Sequence, residues 1–441
     1  MKVLKFGGTS VGTIQNIKSV TKIISDGEKK IVVLSAMSGT TNALVEIASC
    51  VENKEVEIAN KTITNLFKKY REVVNELFEN INLKQEVNIY VEAIFKKLTK
   101  ISSQTYNELL YNTIVAHGEL LSTFIFTKYL IQQGIKAQLL PALDFMRIDR
   151  LNEPDNFYIQ QNLNRIIRNN IPADIYITQG FICLDTDGNI ANLQRGGSDY
   201  TATIIGAAIN AEEVEIWTDI DGMHNNDPRF VENTQAISNL SYEEAAELAY
   251  FGARILHPQT VMPARTANIP VRLKYTMCPE LPGTLINNNV TDKGIKAIAA
   301  KDGITAIKIK SARMLLAYGF LKKVFEIFEK YETPIDMITT SEIAVSLTID
   351  NTTFLDAIIE ELEKFSTVEV DENQSIICLV GHSIVNHNKT HKLFNVLHDF
   401  SIRMISYGGS ENNISLLVNT KDKVKALRNL NDYVFESSLI A

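Results

Sequence analysis

The tract Lys5-Phe6-Gly7-Gly8-Thr9-Ser10 follows a short apolar run. Consecutive glycines let the backbone approach a ligand closely and aim several N–H groups at one point. A helix starting just beyond would favour an anion there, and Lys5 adds a mobile positive charge. The tract reads either as a phosphate cradle or as an ordinary strand-to-helix turn with a solvated lysine. No Gly-Lys dipeptide and no G-x-G-x-x-G occur in the chain, which excludes a Walker A loop, a dinucleotide fingerprint and a protein-kinase loop.

A second tract, Gln194-Arg195-Gly196-Gly197-Ser198-Asp199-Tyr200-Thr201, also lies where a strand-like segment meets a helix. Ser198 or Asp199 can cap that helix. Arg195 beside two glycines suits a carboxylate or phosphate, because a guanidinium fork then sits next to open backbone. Thr218-Asp219-Ile220-Asp221-Gly222-Met223-His224 and Asp227-Pro228-Arg229 supply turn formers, or a nucleotide site with its metal, a hard cation held partly by phosphates. His117-Gly118-Glu119 lies among apolar residues. A glutamate buried there needs a cationic partner; the alternative is a glutamate on a helix surface. Ser241 and Glu244 have capping-box spacing, and Gly252-Ala253-Arg254 weakens the end of the helix that would follow. His382, His387, His391 and His398 lack the Cys or carboxylate partners of a zinc site and read as a polar helix face. Trp217, the single tryptophan, reads as core packing.

Strands and helices must position these groups. Residues 2–6 form a strand candidate, and Ile14, Ile17, Val20, Ile23 and Ile24 follow at helical spacing. The run 31–36 is apolar throughout, as in a strand buried on both faces of a parallel sheet. Residues 51–135, rich in Lys and Glu, predict several helices. Strands return at 174–183 and 213–218 around a helix at 199–209, giving an α/β domain that ends near residue 290. The stretch 279–293 is the best linker candidate. Beyond it lies an internal repeat. Residues 304–349 run strand, loop, helix (320–331), Ile335-Asp336-Met337-Ile338, strand. Residues 375–419 run strand, loop, helix (391–400), Ile402-Arg403-Met404-Ile405, strand. Two repeats are too few for a solenoid, so a tandem pair of small α+β modules is expected.

The 441 residues suggest about three domains. A hydrophobic share of 45% and a charged share of 22% are those of a globular chain. Net charge is 44 − 52 = −8, so no basic excess draws the chain to nucleic acid or an anionic membrane. Cys50, Cys183, Cys278 and Cys378 form no CxxC pair and read as buried small hydrophobes in a reducing compartment. No apolar run approaches the ~18 residues of a membrane span. A cytoplasmic protein without nucleic-acid or membrane partners is the expectation.

The motifs KFGGTSVG, VVLSAMSGTTNAL, HGELLS, RGGSDYTA, WTDIDGMHNNDPR, SYEEAAELAYFGARILHP and ITTSEIAVSL occur in this order over nearly the whole chain. Together they resemble the aspartokinases of the amino acid kinase family, most of all the monofunctional lysine-sensitive type. The resemblance implies an α/β amino acid kinase fold, a mainly parallel sheet between helix layers, at 1–290. Two ACT (ferredoxin-like) modules follow, one at 311–373 and one built from 295–310 with 374–441. It implies phosphorylation of the aspartate β-carboxylate by ATP with Mg²⁺ bound through the nucleotide phosphates, and no dedicated protein metal site. Lys5, Gly7 and Gly8 would hold the transferred phosphoryl group. Ser35, Thr41 and Ser198 would contact aspartate, Glu119 its α-ammonium and Arg195 its α-carboxylate. Asp199 would position the lysine; Lys5, Gly8 and Asp199 form the catalytic set. Thr218, Asp219, His224, Arg229 and Arg254 would line the ATP site. Three residues depart from the family pattern: Gln194 for a usual Gly, His224 for a Tyr and Arg254 for a frequent Lys. Charge or stacking capacity survives each change, so altered affinity is expected and not lost activity.

A β-carboxylate, with a pKa near ~4, is already an ionised nucleophile at neutral pH. In-line positioning and positive charge therefore suffice, which fits the lack of a plausible His or Cys nucleophile. Two other readings stand beside this one. One is a kinase for glutamate, carbamate or a nucleoside monophosphate; the pairing of Arg195 with Glu119 suits an α-amino acid instead. The other is a silent amino-acid sensor, which loss of Lys5, Arg195 or Asp199 would mark, and all three are present. For regulation, Met314, Tyr318, Gly319, Phe320 and Leu321 offer backbone and apolar contacts, and Asp336, Ser341 and Glu342 offer carboxylates and a hydroxyl. That set suits lysine, with its second cation, better than threonine; the bland alternative is a pure dimer interface. A homodimer or dimer of dimers through the ACT modules is expected.

Overall fold

The computed structural model describes all residues except 170–171, 194–195, 253–255, 290–292, 312–317, 387–392 and 437–441. The chain forms two compact units: Met1–Met223 with Ser238–Tyr242 and Leu256–Asn288, and His224–Ile237 with Glu243–Ile255 and Asn289–Ala441.

The elements through residue 287 are β1 (Lys2–Phe6), α1 (Ile14–Ile24), β2 (Lys30–Leu34), α2 (Thr40–Glu52), α3 (Val56–Leu77), α4 (Ile81–Ile101) and α5 (Glu108–Gln132). Then come β3 (Ala137–Leu139), α6 (Asn156–Asn169), β4 (Ile175–Gln179), β5 (Ile182–Leu184), β6 (Ile190–Asn192), α7 (Gly197–Ile209) and β7 (Val214–Thr218). Last are β8 (Asn239–Ser241), α8 (Tyr242–Tyr250), α9 (Met262–Thr266), β9 (Val271–Tyr275) and β10 (Thr284–Asn287). The main sheet has the order β3-β4-β2-β1-β7-β9-β10-β8. Its pairs are parallel except β9 with β10. All five residues of β2 are buried, as a strand covered on both faces requires. Leu4, Phe6, Val32 and Leu34 pack with apolar residues of α1 to α5. Alternation along the strand sends Lys5 to the opposite face, where its ammonium meets Asp199 of α7. Trp217 lies in the core, stacked on Phe6 with ring centroids 5.5 Å apart.

Several expectations are corrected. The expected strand 174–183 is two strands, broken at Gly180-Phe181, where Phe181 takes φ +69°. The linker candidate contains β10, an inner strand of the main sheet; the apolar pair Leu285-Ile286 is masked in sequence by its Pro, Asn and Gly neighbours. Among the described residues, helix α5 alone is long and apolar enough to cross a membrane, with 78% of its most apolar window buried inside the protein. It is apolar all round because it is a core helix. Cys278 is half-buried, whereas Cys50, Cys183 and Cys378 are buried; all four thiols are free.

The remaining elements are β11 (Gly294–Lys310), α10 (Phe320–Lys330), β12 (Ile338–Thr340), β13 (Ala344–Ile349), α11 (Leu355–Glu363) and β14 (Thr367–His382). They end with α12 (Leu393–Val396), β15 (Ile402–Tyr407), β16 (Asn413–Asn419) and α13 (Lys423–Asn431). One six-stranded sheet, β12-β13-β11-β14-β16-β15, runs through the second unit. The long strands β11 and β14 pair antiparallel over most of their length and serve two separate cores. One core gathers Ile307, Val324, Phe328 and Leu347, the other Ile298, Ile377, Leu416 and Leu427. The helix expected over 391–400 is shorter: Leu393–Val396 are helical, 397–400 form a turn and bend, and 391–392 lie outside the described residues. Residues 224–237 belong to this unit because Val231 enters the second core and Lys423 lies over the Phe230 ring, 4.0 Å from its centroid.

Candidate active site

Strands β2, β1 and β7 are neighbours, and their connections leave in opposite directions from β1 and β7. A crevice outside the carboxyl ends of such strands is where open α/β sheets bind ligands. The glycine tract follows β1, residues 35–39 follow β2, and Thr218-Asp219 ends β7.

Lys5 Nζ lies 2.7 Å from Asp199 Oδ1, with both side chains mostly buried. It also lies 3.5 Å from where a Cβ on Gly7 would be. A Cβ on Gly8 would stand 2.8 Å from the Ala36 carbonyl oxygen, so only glycine lets these two loops meet. The Ser38 N–H donates to the Gly8 carbonyl at 3.1 Å and the Ser35 N–H to that of Phe6 at 3.2 Å. Helix α1 starts at Ile14, as its spacing predicts, but the Thr13 hydroxyl already accepts the Asn16 N–H at its N-terminus. Two helices nearby start without a side-chain cap, α2 behind Gly39 and, beside Lys5, α7. The N-cap of α7 is Gly196 at φ +67°, with no side-chain cap. Neither Ser198 nor Asp199 caps it; they are the second and third helical residues. Ser198 Oγ instead accepts from Ser35 Oγ at 2.9 Å, and Asp199 holds Lys5.

Glu119 is buried on α5. Its Oε1 accepts the Ala36 N–H at 3.0 Å, while Oε2 has no hydrogen-bond partner among the described residues. Burial pushes this carboxyl up to about 7. Among the described residues no cation pairs with it, and burial favours its neutral form until a cation is brought to it. Ser122 Oγ donates to the Ser35 carbonyl at 2.9 Å and braces the same loop. Thr41 stands exposed in the first turn of α2.

Thr218 Oγ1 donates to Asp219 Oδ1 at 3.1 Å. His224 and Arg229 belong to the second unit. His224 Nδ1 is 2.8 Å from Thr234 Oγ1. Arg229 is exposed and holds Asp227 through a two-pronged pair, Nε to Oδ1 at 2.9 Å and Nη2 to Oδ2 at 2.6 Å. Burial alone would raise the Asp227 carboxyl, but the Arg229 fork holds it below its usual range. Gln194, Arg195 and Arg254 lie outside the described residues. Gly252 sits just past the end of α8 at φ +139°, and a Cβ there would come 2.3 Å from the Ala300 carbonyl oxygen. A close approach to β11 explains this glycine, not helix structure.

Of the regulatory set, Met314 lies outside the described residues. Tyr318 is fully exposed and Leu321 partly so, Gly319 caps α10 at φ +86°, and Phe320 is buried edge-on to Phe365. Ser341 and Glu342 are exposed. The Asp336 side chain is buried and already engaged: Oδ1 accepts from Tyr250 Oη at 2.6 Å and from Lys301 Nζ at 2.8 Å, and Lys301 also reaches Asp350 at 2.8 Å. Asp336 Oδ2 has no hydrogen-bond partner among the described residues. Motif reading did not find Gly180 or Lys69, and gave Ser122, the last residue of HGELLS, no role. Gly180 packs so closely that its Cβ would meet Ser198 Oγ at 2.3 Å, and a Gly after a strand was the only available signal.

A model of the amino acid kinase family matches residues 1–275, and an ACT domain model matches residues 377–433. The chain is 34% identical to lysine-sensitive aspartokinase 3 of Escherichia coli strain K12, over 98% of this chain and 99% of the relative. The crystal structure of E. coli aspartokinase III with aspartate and ADP (R-state) superposes with a TM-score of 0.82 at 34% identity, covering 99% of this chain and 100% of that one. That of E. coli aspartokinase III with lysine and aspartate (T-state) gives 0.82 at 32%, covering 99% of both chains. The fold and the site define an amino acid kinase. The chain belongs, within that family, to the aspartokinases.

Proposed function

We infer that the chain transfers the γ-phosphoryl group of ATP to the β-carboxylate of L-aspartate, giving 4-phospho-L-aspartate and ADP. That is the first step of lysine, threonine and methionine biosynthesis, and lysine inhibits it through the ACT region. The observation that carries this reading is the Lys5–Asp199 pair set near a buried Glu119 whose Oε2 lacks a partner. A single site then offers a cation for a phosphoryl group and an anion for an ammonium.

In this proposal Lys5, Gly7 and Gly8 hold the phosphoryl group as charge shifts toward the bridging oxygen. Asp199 fixes the Lys5 ammonium by its 2.7 Å contact. Ser35, Thr41 and Ser198 contact aspartate, Glu119 takes its α-ammonium and Arg195 its α-carboxylate. The β-carboxylate needs no base, since it is ionised at neutral pH. Thr218, Asp219, His224, Arg229 and Arg254 line the nucleotide. Mg²⁺ suits this donor set as an ion carried by the nucleotide phosphates, where it neutralises charge on the transferred group.

The second unit divides, in this reading, into one ACT module at 311–373 and another from 295–310 with 374–441. Two separate cores along β11 and β14 support two modules, although Ile307 and Ile309 of the 295–310 segment pack in the core that holds Val324 and Leu347 of the first. Lysine meets Met314, Tyr318, Gly319, Phe320, Leu321, Asp336, Ser341 and Glu342. Assembly as a homodimer or dimer of dimers through these modules is supported by exposed Ile338, Ile405 and Tyr407 on the edge strands β12 and β15, because exposed apolar edges invite pairing. Free cysteines suit the reducing cytoplasm. Steady-state kinetics with succinate in place of aspartate tests the site: succinate leaves Glu119 unpaired and is expected to be a poor substrate. Equal use of both would refute the role of Glu119.

A further inference from the structure

Lys69 lies on α3, outside every motif that carries the family resemblance. Its Nζ donates to the Ser38 carbonyl at 2.5 Å and lies 3.9 Å from where a Cβ on Gly39 would stand. The next residue, Tyr70, is fully buried with its hydroxyl 3.0 Å from Thr40 Oγ1. Two adjacent side chains of α3 thus clamp residues 38–40, the turn into α2. On its other side Ser38 donates its N–H to the Gly8 carbonyl. Gly39 opens α2 at φ +76° without any side-chain cap. A cation beside a helix N-terminus is disfavoured by the helix dipole. Burial lowers the pKa of the Lys69 ammonium, and no acidic side chain is paired with it among the described residues. Local electrostatics therefore do not explain the placement, whereas the Ser38 carbonyl does.

We propose that Lys69 is a positioning residue: it holds Ser38 so that the aspartate-side loop, residues 35–41, stays in register with the glycine tract. The proposal rests on the assignment of Gly8 to the phosphoryl group and of Ser35 and Thr41 to aspartate. Loss of the contact frees the Ser38 carbonyl and lets the two loops drift apart. A displacement of about 1 Å between reacting groups can cost on the order of 100-fold in rate. No proton or bond to substrate is assigned to Lys69 itself.

The test compares Lys69→Met and Lys69→Arg with wild type and with Lys5→Met, in full-length protein. Thermal midpoint, kcat and KM for aspartate and for ATP are measured for each. For Lys69→Met the proposal expects kcat/KM for aspartate to fall about 10- to 100-fold. KM for ATP should stay within about twofold and the thermal midpoint near wild type, since the lost contact is a loop hydrogen bond. Arg can still donate to the carbonyl, so Lys69→Arg should recover most of the loss. Wild-type kinetics in Lys69→Met overturn the proposal. So does an equal loss in both variants together with a lowered thermal midpoint, which marks a purely structural residue. Unimpaired turnover in Lys5→Met overturns the underlying site assignment, whatever Lys69 does.

Discussion

Glu119 stands near half-ionised at neutral pH, because burial lifts its carboxyl to about 7. The folded chain therefore binds more protons at this residue than the unfolded chain does between about pH 4 and 7. Stability from this group is full below the unfolded value and is lost as pH rises through about 7. Substrate binding has the opposite sense, since an α-ammonium needs the ionised form. The value of kcat/KM for aspartate is expected to fall toward a slope of about tenfold per pH unit below pH 7. Glu119→Gln should be a poor enzyme with that slope removed; a flat wild-type profile from pH 6 to 8 would contradict the pairing. Lys5→Met should lower kcat on the order of 10²- to 10³-fold, the usual effect of removing one group that stabilises transition-state charge. Steady-state rates check this, with aspartate binding retained. These residues were legible because each lies in a local tract whose residue types announce the chemistry: Gly-Gly beside Lys, and Glu among apolar residues. Lys69 was not, because a lysine in a Lys-rich helix carries no mark until folding brings it to Ser38.

Elements were legible where pattern and burial agree. The all-apolar run of β2 announced an inner parallel strand, and the spacing of Ile17, Val20 and Ile24 announced α1. Strand β10 was hidden because its four residues lie in a Pro/Asn/Gly context and gain their order from β9 and β8. The end of α8 was half-legible: Gly252 signalled a break, but the carbonyl of Ala300 that demands it is distant in sequence. Gly252→Ala is expected to destabilise the protein by about 1–3 kcal/mol, from a strained φ and the clash with that carbonyl. Thermal or denaturant unfolding checks this, and an unchanged midpoint would contradict the close approach. The Asp336 cluster joins α8, β11, β13 and the start of β12 through Tyr250, Lys301 and Asp350. Asp336→Ala leaves Lys301 with Asp350 alone and strands the Tyr250 hydroxyl, so a stability loss of about 1–3 kcal/mol is expected. Inhibition by lysine should be relieved in the same variant. Unfolding curves and lysine titrations on one preparation separate the two effects.

At the scale of the whole molecule, the α/β fold followed by α+β modules was legible from the order of strands and helices. The composition of the second unit was not: it takes in residues 224–237 and 243–255, because Val231 and Gly252 find their packing there. No sequence period signals such long-range exchange. Inhibition by lysine requires that it favour an inactive arrangement of the catalytic unit over an active one, since only differential affinity shifts an equilibrium. Lysine is expected to inhibit and threonine is not; threonine acting alone would reassign the ligand while leaving the kinase intact. The central claim is the acceptor, the β-carboxylate of aspartate. Its most direct test follows ADP release from ATP and Mg²⁺ with aspartate, glutamate or succinate, and traps the acyl phosphate with hydroxylamine. The account predicts equal yields of ADP and hydroxamate with aspartate and far slower turnover with the other two. Absence of hydroxamate with aspartate, or faster turnover with glutamate, would contradict it.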